Sequence, residues 1–355
     1  MALLPLAAIR DGIQSDPSIY PQNVDLTRQA ILFLRLDETA FRQASFLDDR
    51  ILSPQSQGRW VSFAEMEPWL PLLDSPPRPR QPLRFIFHSG HVGSTLISRL
   101  LDDIGDVLGL REPLPLRTLA AACGELDAAH ALVGPAQWKS LLHFHLACWS
   151  RGYPDTRNVI VKATSSASQC CEPVLDMLPE ARAIFLNLRP EPYLATLLAG
   201  ENSPIDLRGQ AQDRMKRLLR VAPTLDRPLS ALSLGEIAAM TWTVETMTHH
   251  AAVRRFAGRT LRVDFDAFLA APVEALRKIC AHFQLPASDA YFDGIDASPT
   301  LTRYSKAPEH AYTPDLRHRI LIESRAQNAA EIGKGMRWIE KQARSSPAVA
   351  ATLSA

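Results

Sequence analysis

The sequence predicts an α/β fold in which a parallel sheet is layered between helices, and three observations predict it. Short apolar runs rich in β-branched and aromatic residues recur along the chain at Leu83–His88, Asn158–Ala163 and Ala181–Leu188. A stretch with helical spacing of apolar residues follows each run. A glycine-bearing turn, His88-Ser-Gly-His-Val-Gly-Ser-Thr95, joins the first run to its helix. Buried strands alternating with amphipathic helices are the pattern of a three-layer sheet covered on both faces.

The elements follow in order. Residues 1–73 form an opening extension to which the sequence assigns no role. Within it Ala30–Leu36 reads as a strand or short helix, and Trp60–Leu70 as a short strand leading into a helix. Residues 74–82, Asp-Ser-Pro-Pro-Arg-Pro-Arg-Gln-Pro, read as a linker, because prolines cannot sit inside regular elements. The main α/β domain is expected over residues 83–343. Leu83–His88 is its first strand, and Ser94 to about Asp103 a helix with Leu96, Ile97, Leu100 and Leu101 on one face. Asn158–Ala163 is the second strand, with a helix running on to about Met177, where Pro179 ends it. Ala181–Leu188 is the third strand, followed by a helix from Glu191 to Ala199. Later elements are a long helix over Leu234–Phe256, a strand at Thr260–Asp264, a helical Phe265–Phe283 broken at Pro272, and a helical Asp315–Lys341. Residues 344–355 are expected as a flexible tail.

Composition narrows the class. A chain of 355 residues suits one large domain or two smaller ones. Its hydrophobic fraction of 46% is that of an ordinary globular protein, and a net charge of +1 removes any general attraction to nucleic acid or an anionic membrane. Five cysteines (Cys123, Cys148, Cys170, Cys171, Cys280) with no CxxC spacing read as reduced thiols. The apolar first residues lack a basic lead, and no uncharged run is long enough to span a bilayer, so a soluble cytoplasmic protein is expected. His143, His145, His249 and His250 have no acid or cysteine at ligand spacing, and no metal is expected. Ser165 lacks the flanking glycines of a nucleophile elbow.

The turn carries the chemistry. Gly90-x-x-Gly93-Ser94-Thr95 between a strand and a helix lets consecutive backbone N–H groups point inward at a phosphate, aided by the helix N-terminus. The hydroxyls of Ser94 and Thr95 add donors. In the nucleoside-triphosphatase form, GxxxxGK[ST], a lysine reaches the terminal phosphates; here Ser94 takes its place. The later strands end in Val161-Lys162 and Asn187-Leu188-Arg189, without a carboxylate for magnesium. Both features point away from ATP or GTP hydrolysis.

Gly90-His-Val-Gly-Ser-Thr-Leu-Ile-Ser-Arg-Leu-Leu101 resembles the 5′-phosphosulfate loop of bacterial sulfotransferases, G-[RK]-[SA]-G-[ST]-T-L-L-S-R-L-L. The resemblance covers residues 83–290. It implies a P-loop kinase-like fold and 3′-phosphoadenosine 5′-phosphosulfate (PAPS) as donor, with transfer that needs no magnesium. It also implies an acceptor hydroxyl or amine on a small molecule, carbohydrate or peptide. Gly90, His91, Val92, Gly93, Ser94 and Thr95 would hold the donor, with His91 standing where the family has arginine or lysine. A histidine can take that place as a cation only when protonated.

Four further motifs follow from the same resemblance. Leu188-Arg189-Pro190 resembles the family's 3′-phosphate anchor, and a guanidinium grips phosphate bidentately. The anchor's serine is replaced by Leu197, leaving Thr196 one residue early. Arg111-Glu112-Pro113 resembles the segment that carries the catalytic base in several branches, which makes Glu112 the candidate to take the acceptor's proton. Lys162-Ala163-Thr164 keeps the lysine of a Lys-Thr-His run, and Lys162 is the candidate stabiliser of the leaving phosphate. Arg303-Tyr304-Ser305-Lys306 stands where the family has a cofactor-covering loop, with Tyr304 to stack on the base and Lys306 to reach a phosphate. The acceptor pocket is expected from Ala121–Tyr153 and Asn202–Leu234. Two other classes stay open: a nucleotide-binding regulatory protein that has lost transfer, and a divergent small-molecule kinase.

Overall fold

A computed structural model describes residues 2–74, 80–222, 227–305 and 309–353. Most of the expected linker and Lys306 therefore lie outside the described residues.

Nine strands form two sheets. The first has the order β1-β4-β3-β2, built from β1 (Ala2–Leu3), β2 (Ile19–Asp25), β3 (Ala30–Arg35) and β4 (Gln57–Ser62). β3 pairs antiparallel with both β2 and β4. Ala30–Leu36 is thus a strand, with five of its first six residues buried, and Ser62 closes β4 with a capping box onto Glu65. The sequence offered no sheet here, because β2 carries Pro21, Gln22 and Asn23 and lacks a clean alternation.

The second sheet has the order β6-β7-β5-β8-β9. Its strands are β5 (Leu83–His88), β6 (Val107–Arg111), β7 (Asn158–Lys162), β8 (Arg182–Asn187) and β9 (Thr260–Asp264). β7 runs parallel to both β5 and β6. Every residue of β5, β6 and β7 is buried, as parallel strands covered on both faces must be. This is the expected three-layer α/β arrangement, a five-stranded parallel sheet flanked by helices. β6 was not expected: Val107-Leu-Gly-Leu-Arg is short, and its glycine and terminal arginine mask a buried strand.

Contacts divide the described chain into two compact units. One holds residues 1–86, 95–183 and 280–291; the other holds 87–94, 184–279 and 292–355. In the first, the helices Leu114–Cys123 and Pro135–Trp149 lie between β6 and β7 in sequence. The N-terminal segment is built into this unit. The Arg111 guanidinium, 1% exposed, donates to the carbonyls of Phe41, Arg42 and Ala44 and pairs with Asp102.

In the second unit the Leu234–Arg255 helix is buried along most of its length and starts with a Ser233–Glu236 capping box. The Ala329–Ser345 helix packs on it so closely that a Cβ on Gly235 would stand 2.0 Å from the Glu331 carbonyl oxygen. The Ser203–Val221 helix fills much of the Asn202–Leu234 stretch from which the acceptor pocket was expected. The tail expected to be flexible forms a helix over Pro347–Leu353 instead, with Val349 fully buried.

Candidate functional site

β5 ends at His88, whose Nδ1 accepts a hydrogen bond from the Gly90 N–H at 3.1 Å. Gly90, His91 and Gly93 then take φ values of 102°, 55° and 72°. Three left-handed residues in four curl the backbone into the concave form whose N–H groups suit an anion. Gly93 is required twice over, because a Cβ there would also fall 1.9 Å from Cε2 of Phe265. Val92 is fully buried and anchors the loop, while the His91 ring is exposed.

Behind the loop stands Tyr193, fully buried, whose hydroxyl donates to the Ser89 carbonyl at 2.6 Å. Burial pushes its phenol well above the usual range. The Tyr193 ring also lies in the field of Arg214 and Glu245. Glu245 is fully buried and accepts from Arg217 at 2.9 and 3.1 Å and from Arg214 at 3.3 Å. Burial alone would raise its carboxyl, but the two guanidiniums hold it below the usual carboxylate range. His249 faces Asn187 Oδ1 at 3.0 Å, and burial pushes its imidazole down to about 3. Trp242 Nε1 donates to the Leu188 carbonyl at 2.9 Å.

Sequence reasoning missed this buried network. The available signal was Glu245, a carboxylate inside an otherwise apolar helical run, which must find a cation when buried.

Of the expected anchors in this unit, Arg189 caps the Pro190–Ala199 helix, is exposed, and makes no side-chain hydrogen bond or ion pair among the described residues. Thr196 falls seven residues on, on the same helical face. Its hydroxyl hydrogen is already committed to the Pro192 carbonyl at 2.8 Å. Leu197 is buried. Tyr304 stacks obliquely on Tyr312 with ring centroids 5.5 Å apart.

Ser94, the last residue of the loop segment in this unit, opens the helix Ser94–Asp102 along the chain; Thr95 belongs to the other unit and is 3% exposed. The Thr95 hydroxyl is buried with no hydrogen-bond partner among the described residues, as is that of Ser89 in the loop unit. Unsatisfied buried hydroxyls are costly unless a ligand meets them. Glu112 follows the last residue of β6, and Lys162 ends β7, in register with Arg111 on one side and Ile86 on the other. Carboxyl ends of parallel strands are where open α/β sheets bind their ligands.

Glu112 takes φ 54°, and its N–H donates to the Lys162 carbonyl at 2.7 Å. The fully buried Lys162 ammonium donates to Glu112 Oε1. Of the three expected catalytic residues, Glu112, Lys162 and His91, the structure thus joins Glu112 and Lys162 to each other. Leu47, from the N-terminal segment, brackets the turn: its N–H donates to the Arg111 carbonyl and its carbonyl accepts from the Leu114 N–H.

Three similar solved structures are sulfotransferases. The sulfotransferase domain from the curacin biosynthetic pathway is 14% identical at a TM-score of 0.39, covering 74% of this chain and 98% of that one. Sulfotransferase STF9 from Mycobacterium avium is 15% identical at 0.41, covering 91% and 96%. Mouse sulfotransferase SULT7A1, complexed with PAP, is 12% identical at 0.40, covering 82% and 95%. No family model and no curated protein matches the chain. Similarity this distant leaves the chemistry to be argued from the residues.

Among the described residues no group of histidines, cysteines and acids is placed to hold a metal ion, and no helix is long and apolar enough to cross a membrane. Four of the five cysteines are buried.

Proposed function

We propose that this chain moves a sulfonyl group from PAPS to an acceptor hydroxyl or amine. The observation that carries the reading is the loop: three left-handed residues in four, leading into a helix whose Thr95 hydroxyl is buried without a hydrogen-bond partner among the described residues, and no lysine before Thr95. The residues present fit a phosphosulfate, since the curled backbone and the Ser89 and Thr95 hydroxyls offer donors the fold has not used. The bound donor supplies an activated sulfonyl group on a good leaving phosphate.

The chain's own groups have distinct tasks. The backbone of Gly90–Gly93 and the hydroxyls of Ser94 and Thr95 hold the 5′ anion, with His91 contributing charge when protonated. Arg189, exposed and unpaired among the described residues, takes the 3′-phosphate. Glu112 accepts the acceptor's proton as its oxygen or nitrogen bonds to sulfur and the sulfur–phosphate oxygen bond breaks. Lys162 holds the Glu112 carboxylate in place. Tyr304 is assigned to the adenine, and Lys306 to a phosphate.

A second reading, nucleotide binding without transfer, is favoured by two features. Thr196 has spent its hydrogen on Pro192, and Glu112 is tied to Lys162. Calorimetry with adenosine 3′,5′-bisphosphate (PAP) and with ATP plus magnesium separates the classes. PAP alone should bind, whereas tight magnesium-dependent ATP binding would point to a kinase. Glu112→Gln should lose turnover by at least about 100-fold while keeping PAP affinity. Full turnover in that variant overturns the base assignment. PAP binding without transfer to any acceptor tried supports the second reading.

A further inference from the structure

A cavity of about 570 Å³ lies in the unit that carries Glu112, in the size range of small-molecule sites. Val24 of β2 and Leu26 of the turn after it form one wall, Ala122 of the Leu114–Cys123 helix a second, and Leu132 of the following loop a third. Two of its acids are engaged locally. Glu125 pairs with His130 at 3.0 Å, and Asp25 accepts from the N–H groups of Thr27 and Arg28. Arg117 also lines the cavity, is exposed, and forms no hydrogen bond or ion pair among the described residues.

The same pieces of chain hold Glu112. The helix that walls the cavity begins two residues after it, and Arg117 stands three residues into that helix, about 4.5 Å along its axis from Leu114. Arg117 also lies in the field of Asp48, the neighbour of the Leu47 that brackets the Glu112 turn.

We propose that this cavity receives the body of the acceptor, an elongated apolar molecule carrying one anionic group that meets Arg117. The assignment rests on the sulfonyl-transfer reading. The apolar walls take the hydrocarbon, Asp25 is offset by Arg28 and Glu125 faces His130, Arg117 meets the anionic group, and the reactive hydroxyl or amine extends toward Glu112. The N-terminal segment then has a role, since it supplies one wall of the cavity and the bracket around the base.

The probe is decanoate, titrated calorimetrically into the full chain below its micellar concentration. Decanoate should bind, and decylamine, with the same chain and opposite charge, should bind at least tenfold more weakly. Ala122→Trp, which fills a half-exposed cavity position, and Arg117→Gln should each weaken decanoate at least tenfold and leave PAP affinity unchanged. Should Ala122→Trp fail to fold, Arg117→Gln carries the test alone. No decanoate binding by the wild-type chain, or undiminished binding by the folded variants, overturns the assignment while PAP binding stands. Decanoate binding without any PAP binding overturns the transfer reading, and the acceptor assignment with it.

Discussion

The loop at Gly90–Gly93 and the turn at Glu112 each put a non-glycine residue in the left-handed region, at φ 55° and 54°, and hold it in opposite ways. His91 sits between glycines with its ring exposed, and the hydroxyls of Ser89 and Thr95 flanking the loop stretch are unspent. Glu112 has its N–H given to Lys162, its carboxylate paired with the Lys162 ammonium, and Leu47 on either side of the turn. One region leaves hydrogen-bonding groups unused among the described residues. The other satisfies its charges internally and fixes a single geometry in advance. Strain of about 1–3 kcal/mol for a left-handed non-glycine residue persists only where the surroundings over-determine it, and the two regions do so by different means.

Gly93→Val should have the largest effect. Its side chain would overlap the Phe265 ring and sit at φ 72°, so strain and overpacking together cost roughly 5 kcal/mol. PAP affinity should fall by more than about 100-fold, the order expected when several charge-assisted hydrogen bonds are lost together. Gly105→Ala is the control, because φ is 97° there and nothing lies within 4 Å, leaving strain alone. A Gly93→Val protein that melts and binds PAP like the wild type would show that the loop is no cradle.

On the closed side, Lys162→Met removes one partner of a buried pair and leaves Glu112 uncompensated, a loss of about 3 kcal/mol in denaturant unfolding. Adding Glu112→Gln should recover part of that loss, since the orphaned charge is then gone. Equal stability of the single and double variants would mean the pair is not coupled, and the contrast between the two regions would fail.

The two regions also differed in how far the sequence exposed them. Gly90, Gly93, Ser94 and Thr95 were legible because a left-handed turn between a strand and a helix leaves few residue choices. Leu83–His88 and Asn158–Lys162 were legible as strands because parallel strands buried on both faces are continuously apolar. Glu112 was found only through a resemblance, as β6 is short and carries a glycine and an arginine. Its pairing with Lys162 depends on strand register, which no local pattern encodes. Leu47, Tyr193 and the Arg214–Arg217–Glu245 cluster were invisible for the same reason. Their partners lie far away in sequence, and an isolated tyrosine or leucine on a helix or loop looks like ordinary core.

Acid should act on the supports of the loop. Burial, with Arg217 and Arg262 adding to it, pushes His249 down to about 3 in the folded chain, against an ordinary value of 6.5. The folded state therefore keeps His249 neutral, while the unfolded state gains a proton below pH 6.5. Its contribution to stability is whole above pH 6.5 and is lost as pH falls toward 3, at about 1.4 kcal/mol per pH unit. Replacing it by His249→Gln should flatten the pH dependence of unfolding between 6.5 and 4 by about that slope. An unchanged slope would mean that His249 takes up a proton without cost to the fold.

Tyr193→Phe gives the smallest effect and isolates the loop most cleanly. The ring stays packed, and one hydrogen bond of 2.6 Å to the Ser89 carbonyl is lost, a change of about 1 kcal/mol. If that bond serves to hold the loop in its binding form, the loss should appear in PAP affinity as a roughly fivefold weakening, because 1.4 kcal/mol is a factor of ten. The Glu112 side should not respond: turnover at saturating donor should stay within about twofold of wild type, since interactions that act only on binding leave kcat unchanged. A fall in kcat with donor affinity intact would reverse the assignment. It would place the hydroxyl of Tyr193 on the reacting side of the comparison, and the open loop would then be less independent of the closed pair than their separate hydrogen bonds indicate.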